Sequence, residues 1–525
     1  MLTRTLTSVL VALPAAAALG SAQVSSILPF RATGALLIGD AQSGAVLRAN
    51  DADGDGLFLG AGELAPYFDP AAAADPATGQ PYGPLGEPTA ISCNLQGEIC
   101  VIFQSLSPVA VMLRDRNGDG DAMDPGESRM FVNGAAMAPL ALGFCRGAAF
   151  DPSGALWLTV DGPSNDWIVV LRDLDQDGSA HGAGELTVAY DDAIAATNGN
   201  PPLFSLSAFG FLPDGVPYAT NASFFHKFTV RFVDSDGDGI LHGPGEVIPA
   251  YQSGGGNPQQ GTARFAGIGA DRGLLIYNSA SKQLISARDN NGNSVYDDVG
   301  EAVVFAASGD AGLLWGSGGA LGFGGDSSVY YADRGAASRI LRFVDLSNDG
   351  DARDLGEIAV ALEFAASAFP SVQPSALFSL PKEPAAYGAG TATGSFGPVE
   401  LRWSEADGLP VSGNSAFSLS IAGAPAGAPI GMLYSISPAA IQLELLAPGI
   451  SDLSSFLFVD LAAGDVGAFG VPGTTDASGA AAVPIPIGAT SPPLAGRTFF
   501  VQALLVDGGS PLPVVLSNGL SITLL

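Results

Sequence analysis

Residues 147–192 read GAAFDPSGALWLTVDGPSNDWIVVLRDLDQDGSAHGAGELTVAYDD. Short apolar runs alternate with turn residues, in the order strand, turn, strand, turn, strand, acidic loop, strand. Trp157, Val160, Ile168 and Val170 fill the strands, and Asp151 to Gly154 supply the first tight turn. The result is one four-stranded unit. Such a sheet has two apolar faces and must stack on neighbours, and radial stacking gives a propeller.

Outward from this unit, its acidic loop recurs as DADGDGLFLGAGE, DRNGDGDAMDPGE, DLDQDGSAHGAGE, DSDGDGILHGPGE, DNNGNSVYDDVGE and DLSNDGDARDLGE, six copies of thirteen residues. The closing glutamates Glu63, Glu127, Glu185, Glu246, Glu301 and Glu357 lie 64, 58, 61, 55 and 56 residues apart, a period that marks a repeat architecture. The first copy starts abruptly at ATGALLIGDAQSGAVLRANDADGDG and lacks a first strand. PSALFSLPKEP, after the last copy, matches the first-strand segment SLSAFGFLPDG of a central copy. Residues near 374 to 381 are therefore expected to complete the first blade and close the ring, leaving no open sheet edge.

The length of 525 residues exceeds a usual single core, and 70 Gly and 37 Pro, with 14% charged and 47% hydrophobic residues, point to an all-β chain able to bury a core. The N-terminus MLTRTLTSVLVALPAAAALGSAQ carries Arg4, an apolar stretch from Val9 to Leu19 and small residues to Ala22, so residues 1–22 are expected to be a signal peptide. No later apolar run is long enough for a bilayer span, and membrane insertion is not expected. A net charge of −31 disfavours nucleic acid and anionic membrane surfaces as partners, and suits a cation. The expected location is outside the cytoplasm, free or at the cell surface. Cys93 and Cys100 flank the turn at Gln96 and Gly97, a placement that makes a disulfide feasible, while buried unpaired thiols are the alternative; Cys145 is left over in the first case.

FDPSGALWLTVDG resembles blades of NHL-repeat and lactonase-like six-bladed propellers, which turn at a similar Asp-x-x-Gly before an aromatic residue. The resemblance covers residues 28–381 and implies a fold, since propellers host binding, hydrolysis and redox chemistry alike.

At positions 1, 3, 5 and 6 the acidic loops resemble the first half of an EF-hand loop. Calcium takes six to eight oxygens at about 2.3–2.6 Å, and alternate short carboxylates on a curved backbone converge on one ion. The expected ligands are Asp51, Asp53, Asp55 and Glu63; Asp115, Asn117, Asp119 and Glu127; Asp173, Asp175, Asp177 and Glu185; Asp234, Asp236, Asp238 and Glu246; Asp289, Asn291, Asn293 and Glu301; Asp345, Ser347, Asp349 and Glu357. Up to six calcium ions follow. The glutamate sits at position 13 and not 12, so its closing role is an inference. The fifth loop, with two asparagines and Ser294 at the glycine position, is expected to be weakest or empty. The plain alternative is a set of solvated acidic turns without metal. His181 and His242, at the ninth position of two loops, read as exposed loop residues in oxygen-rich surroundings that do not suit a transition metal.

No nucleophile elbow, His-Glu-x-x-His helix or phosphate loop occurs, and no catalytic residue is singled out; His226 reads as a packed or surface residue. Residues 382–397 read as a linker, and residues 398–525, with segments such as VELRWSE, FSLSIAG and RTFFVQALLVDGG, as a β-sandwich. The ending resembles a C-terminal module of large secreted bacterial proteins, which names no ligand. The expected whole is an all-β chain, a six-bladed propeller followed by a sandwich, with a structural or binding role toward a protein or carbohydrate. A calcium-dependent hydrolase of lactonase or phosphatase type, working in the central channel, is the alternative. Converging channel carboxylates are what would favour it.

Overall fold

A computed structural model describes residues 35–523. Left out of that description are 53–56, 95–96, 105–107, 134–142, 163–164, 212–215, 223–226, 253–257, 259–262, 269–273, 324–327, 381–384, 388–391, 394–395, 404–416, 436–437, 443–455, 460–466, 486–497, 507–513 and some single positions. The expected signal peptide, His226 and Ser294 therefore lie outside the described residues. The chain falls into two compact units that divide between Leu380 and Pro381.

The first unit holds six four-stranded antiparallel sheets. In the third, Phe144–Phe150, Leu156–Asp161, Asp166–Leu171 and Leu186–Asp191 pair in sequence order, the arrangement expected for residues 147–192. Asp151 folds the first turn: its Oδ1 accepts the N–H of Ser153 and of Ala155, and its Oδ2 accepts the Trp157 Nε1–H at 2.9 Å. One carboxylate thus closes the turn and anchors the aromatic residue that begins the packing. Asp166–Leu171 is buried along its whole length, because neighbouring sheets cover both of its faces.

The first sheet is completed from the far end of the unit. Pro374–Ser379 pairs antiparallel with Ala35–Asp40, with Leu36 opposite Ser379 and Ile38 opposite Leu377. The innermost strands, Pro374–Ser379, Glu87–Cys93, Phe144–Phe150, Leu206–Phe211, Ala263–Ile268 and Gly318–Phe323, each touch the next, and the last touches the first. The ring is closed. Its apolar residues form six clusters, each shared by two adjacent sheets, so the core lies between the blades. This is a six-bladed β-propeller.

In every blade the pairing of the third with the fourth strand slips once, between residues such as Ile168 and Val169 or Ile340 and Leu341. A bulge twists an outermost strand and blunts it as a template for pairing with another chain.

None of the three cysteines forms a disulfide among the described residues. Asn94 and Glu98 close the hairpin between the first two strands of blade 2, with Gly97 at a φ of 80°. That register sets Cys93 opposite Ile99 and Cys100 opposite Ser92, so the two thiols leave opposite faces of the sheet. The disulfide that the spacing made feasible is excluded by this offset. Burial raises the thiol of Cys100 and pushes that of Cys145 up to about 12.

In the second unit, the five-stranded sheet of Ala385–Tyr387, Val514–Thr523, Thr498–Val506, Pro429–Ser435 and Gly467–Thr474 shares one core with the three-stranded sheet of Glu400–Trp403, Ser418–Ala422 and Ala481–Pro484. Leu401, Leu419 and Ile421 from one sheet meet Met432, Ala503 and Leu505 from the other, which is a sandwich. The stretch read as a linker contributes short strands, among them the edge strand Ala385–Tyr387.

Candidate metal centres in the acidic loops

All six acidic loops join the third strand of a blade to its fourth, so they project from the same face of the ring as the turns between first and second strands. Their backbone is folded by their own carboxylates. Asp115 accepts from the N–H of Gly118 and Gly120, Asp234 from those of Gly237, Asp238 and Gly239, and Asp345 from those of Asp349 and Gly350. Residue 3 accepts from residue 5, as in Asp177 N–H to Asp175 Oδ1 at 3.2 Å. Residue 5 accepts from residue 7, as in Ile240 N–H to Asp238 Oδ1 at 2.7 Å. This ladder draws alternate side chains to the inside of one curve. Glycine is required where φ turns positive: 99° at Gly120 and 79° at Gly239 in position 6, and between 79° and 97° at position 12 in all six loops.

The closing glutamate is buried in all six loops, at 1–5% exposure. In every copy one oxygen accepts the N–H of residue 2 and the other that of residue 10. Glu246 takes Ser235 N–H at 3.1 Å and Gly243 N–H at 2.6 Å; Glu357 takes Leu346 and Ser347 at 2.8 Å and Asp354 at 3.0 Å. Its first task is to pin the two ends of the loop together, and the sequence alone did not reveal it. Residue 10 is glycine where that bond is short and aspartate in loops 2, 5 and 6, where it spans 3.0–3.3 Å; a Cβ on Gly243 would meet Glu246 Oε2 at 2.6 Å. N–H donation from Gly182, partly offset by burial and aided by Leu174 and Asp175, lowers the Glu185 carboxyl below its ordinary value. For Glu357 burial acts to raise it, and the N–H groups of Ser347, Asp354 and Leu346 outweigh that and lower it.

Three of the expected ligand sets converge. Asp115, Asp119 and Glu127, then Asp173, Asp175 and Glu185, then Asp234, Asp236 and Glu246 each present ligand atoms within 4.8 Å of one another. A carboxylate has about four acceptor positions, so N–H bonds leave lone pairs facing the cluster. An all-oxygen set of this kind fits a hard cation. Among the described residues these are the groups of three or more His, Cys, Asp or Glu that come together, and all lie in loops 2 to 4, away from the ring axis. Near the axis, Arg334 of blade 6 reaches Glu87 of blade 2 at 2.8 Å, past the innermost strand of blade 1.

The remaining expected ligands divide as follows. Asp53 and Asp55 lie outside the described residues, and Glu63 pins its loop as the others do, through Ala52 and Gly60. In loop 5 the amides of Asn291 and Asn293 donate to Asp298 Oδ2 at 2.6 and 2.9 Å, which places internal donors where loops 3 and 4 have carboxylates. Asn117 of loop 2 similarly donates to Asp119 and Asp124. In loop 6 the Ser347 hydroxyl turns to Asp345. His181 is exposed, as expected, and its Nε2 accepts the N–H of Asn133 on blade 2. His242 is half-buried and not exposed, because the amides of Asn198 and Asn200 hold its carbonyl down.

The opposite face carries acidic residues under a different regime. Asp166 is 3% exposed; burial, reinforced by the nearby charges of Asp161 and Asp192, pushes its carboxyl up to about 7 despite N–H donation from Leu206 and Gly162. Nothing linear in the sequence marks it.

No family model and no curated protein matches the chain in sequence. Among solved structures, a putative 6-phosphogluconolactonase from Bacteroides uniformis is 13% identical, with 84% of this chain and all of that chain covered and a TM-score of 0.37. A second putative 6-phosphogluconolactonase, from Bacteroides fragilis, is 13% identical over 63% of this chain and 82% of that one, with a TM-score of 0.39. Virginiamycin B lyase from Staphylococcus aureus is 13% identical over 60% and 82%, with a TM-score of 0.34. At these values the likeness is one of fold and carries nothing about chemistry.

Proposed function

We propose that this chain is a secreted, calcium-loaded propeller whose acidic loops hold structural cations and whose role is to scaffold or to bind another molecule, a protein or a carbohydrate. The observation that carries the reading is the convergence of carboxylates in loops 2, 3 and 4 on backbone already curved by the same side chains. Twenty carboxylates at the four ligand positions of six loops repel one another, and cations bound only by the folded chain offset that repulsion and stabilise it by mass action. Among loops 2 to 6, loops 3 and 4 are the strongest sites, loops 2 and 6 intermediate, and loop 5 the weakest. Among the described residues no helix is long and apolar enough to cross a membrane.

The test is thermal unfolding of the protein lacking residues 1–22, with calcium and after chelation, with metal counted by elemental analysis on the same sample. Several bound calcium ions per chain and a large fall in Tm on chelation are expected. A metal-free protein whose Tm ignores the chelator makes the loops plain turns and sinks the reading.

A further inference from the structure

Residue 8 of every acidic loop does something that no ligand position requires. Phe58, Ala122, Ala180, Leu241, Tyr296 and Ala352 are all buried, at 5% exposure or less. Each donates its backbone N–H, at 2.7–2.8 Å, to a carbonyl on the outermost strand of the preceding blade. The acceptors, in the same order, are Ala361, Tyr67, Phe131, Ala189, Ala250 and Phe305. Each donor and its acceptor residue also belong to the same apolar cluster, the one between those two blades.

The sizes of the paired side chains are complementary at all six junctions. Where the strand offers Tyr67, Phe131 or Phe305, the loop brings alanine. Where the strand offers Ala189, Ala250 or Ala361, the loop brings Leu241, Tyr296 or Phe58. One large side chain and one alanine meet every time, and which partner is large changes around the ring. Dense packing explains the rule: two large residues overpack the seam, and two alanines leave a void.

We propose that the acidic loops are clasps between blades, locked by this size match, and that the match helps to fix which blade a loop can grip. The innermost strands hold the ring at its axis, and the clasps hold it at the rim. Neighbouring polar contacts follow the same direction: Arg48 of blade 1 donates to Gly120 O in loop 2, and Arg129 of blade 2 to Gly178 O in loop 3. The clasp at Phe58 and Ala361 matters most for closure, because it joins blade 6 to blade 1.

The experiment is a double-mutant cycle at the junction of blades 3 and 4, with Leu241→Ala, Ala189→Phe and the two combined, read by denaturant unfolding in calcium, with metal counted on each sample. Each single variant is expected to lower the folding equilibrium constant by about 30-fold or more, one by a void and the other by overpacking. The combined variant, which copies the alanine-loop and aromatic-strand pairing of junction 2–3, is expected to recover about tenfold or more over the product of the singles. The metal count is expected to stay unchanged, since neither residue is a ligand, so loss of cations cannot imitate loss of the clasp. If a single variant does not fold, the mirror cycle at junction 2–3, Ala180→Leu with Phe131→Ala, gives the same readout. Additive singles at both junctions would overturn the proposal, whether or not the loops bind calcium.

Discussion

Glu185 and Asp166 are both buried carboxylates of blade 3, at 2% and 3% exposure, on opposite faces of the ring, and they carry opposite charge preferences. Three N–H groups point at Glu185, from Leu174, Asp175 and Gly182, and its carboxyl is lowered. Asp166 receives two, from Gly162 and Leu206, each longer than 3.0 Å, with Asp161 and Asp192 nearby, and its carboxyl is raised. Burial alone does not set the charge of an acid. The supply of donors and the sign of the neighbours decide whether desolvation wins.

The largest expected effect tests the donor-rich side. Glu185→Ala takes the shared acceptor away from the N–H groups of Leu174, Asp175 and Gly182, and is expected to lower the denaturant midpoint of unfolding more than any change below. An unchanged midpoint would mean that water replaces the carboxylate and that the glutamate does not pin the loop.

Next comes the donor-poor side. A carboxyl raised from an unfolded value of about 3.9 to about 7 binds its proton more tightly in the folded chain. Its contribution is fully present below the unfolded value and is lost as pH rises through about 7, on the order of 4 kcal/mol in all. Asp166→Asn is expected to remove that part of the slope, so the variant gains on the parent between about pH 4 and pH 7. Parallel stability curves across this window would show Asp166 to be ionised in place and would break the contrast with Glu185.

A smaller effect separates loops of one face. Loop 5 places the amides of Asn291 and Asn293 on Asp298, where loop 4 has Asp236 and Asp238 in the equivalent positions. Changing both, Asn291→Asp with Asn293→Asp, is expected to cost about 1–2 kcal/mol in chelator, because donors become repelling charges, and to raise the calcium count of the protein in calcium. An unchanged count would put the weakness of loop 5 in its backbone and not in its ligand charge.

These contrasts show what the sequence discloses and what it withholds. Six copies of an acidic loop and one displaced strand were enough to read the ring and its closure at Pro374–Ser379, because repetition writes tertiary neighbours into linear order. The sequence left a Cys93–Cys100 disulfide and buried thiols equally open, and one residue of register decides between them, because Cys93 faces Ile99 while Cys100 faces Ser92. The glutamate was legible as a loop residue but not as the acceptor for residues 2 and 10, since position 13 invites comparison with a metal ligand. The size match at residue 8 is written in the sequence, yet it emerges only when each loop is set against the preceding blade. Asp166 was invisible because its burial is made by a neighbouring blade.

The smallest expected effect concerns backbone and not charge. Position 4 of the loop holds a positive φ: 78° at Gly118, 76° at Gly237, 76° at Gly292, and 61° at Gln176. A side chain in that region costs about 1 kcal/mol, part of which glycine gives back through its freer unfolded chain. Gln176→Gly is therefore expected to stabilise the protein by about 0.5 kcal/mol in calcium and in chelator alike, since the strain belongs to the turn and not to the cation. A gain seen in calcium alone would show that loop 3 adopts this turn only when an ion is held, and would make the curve of the loop a product of the metal.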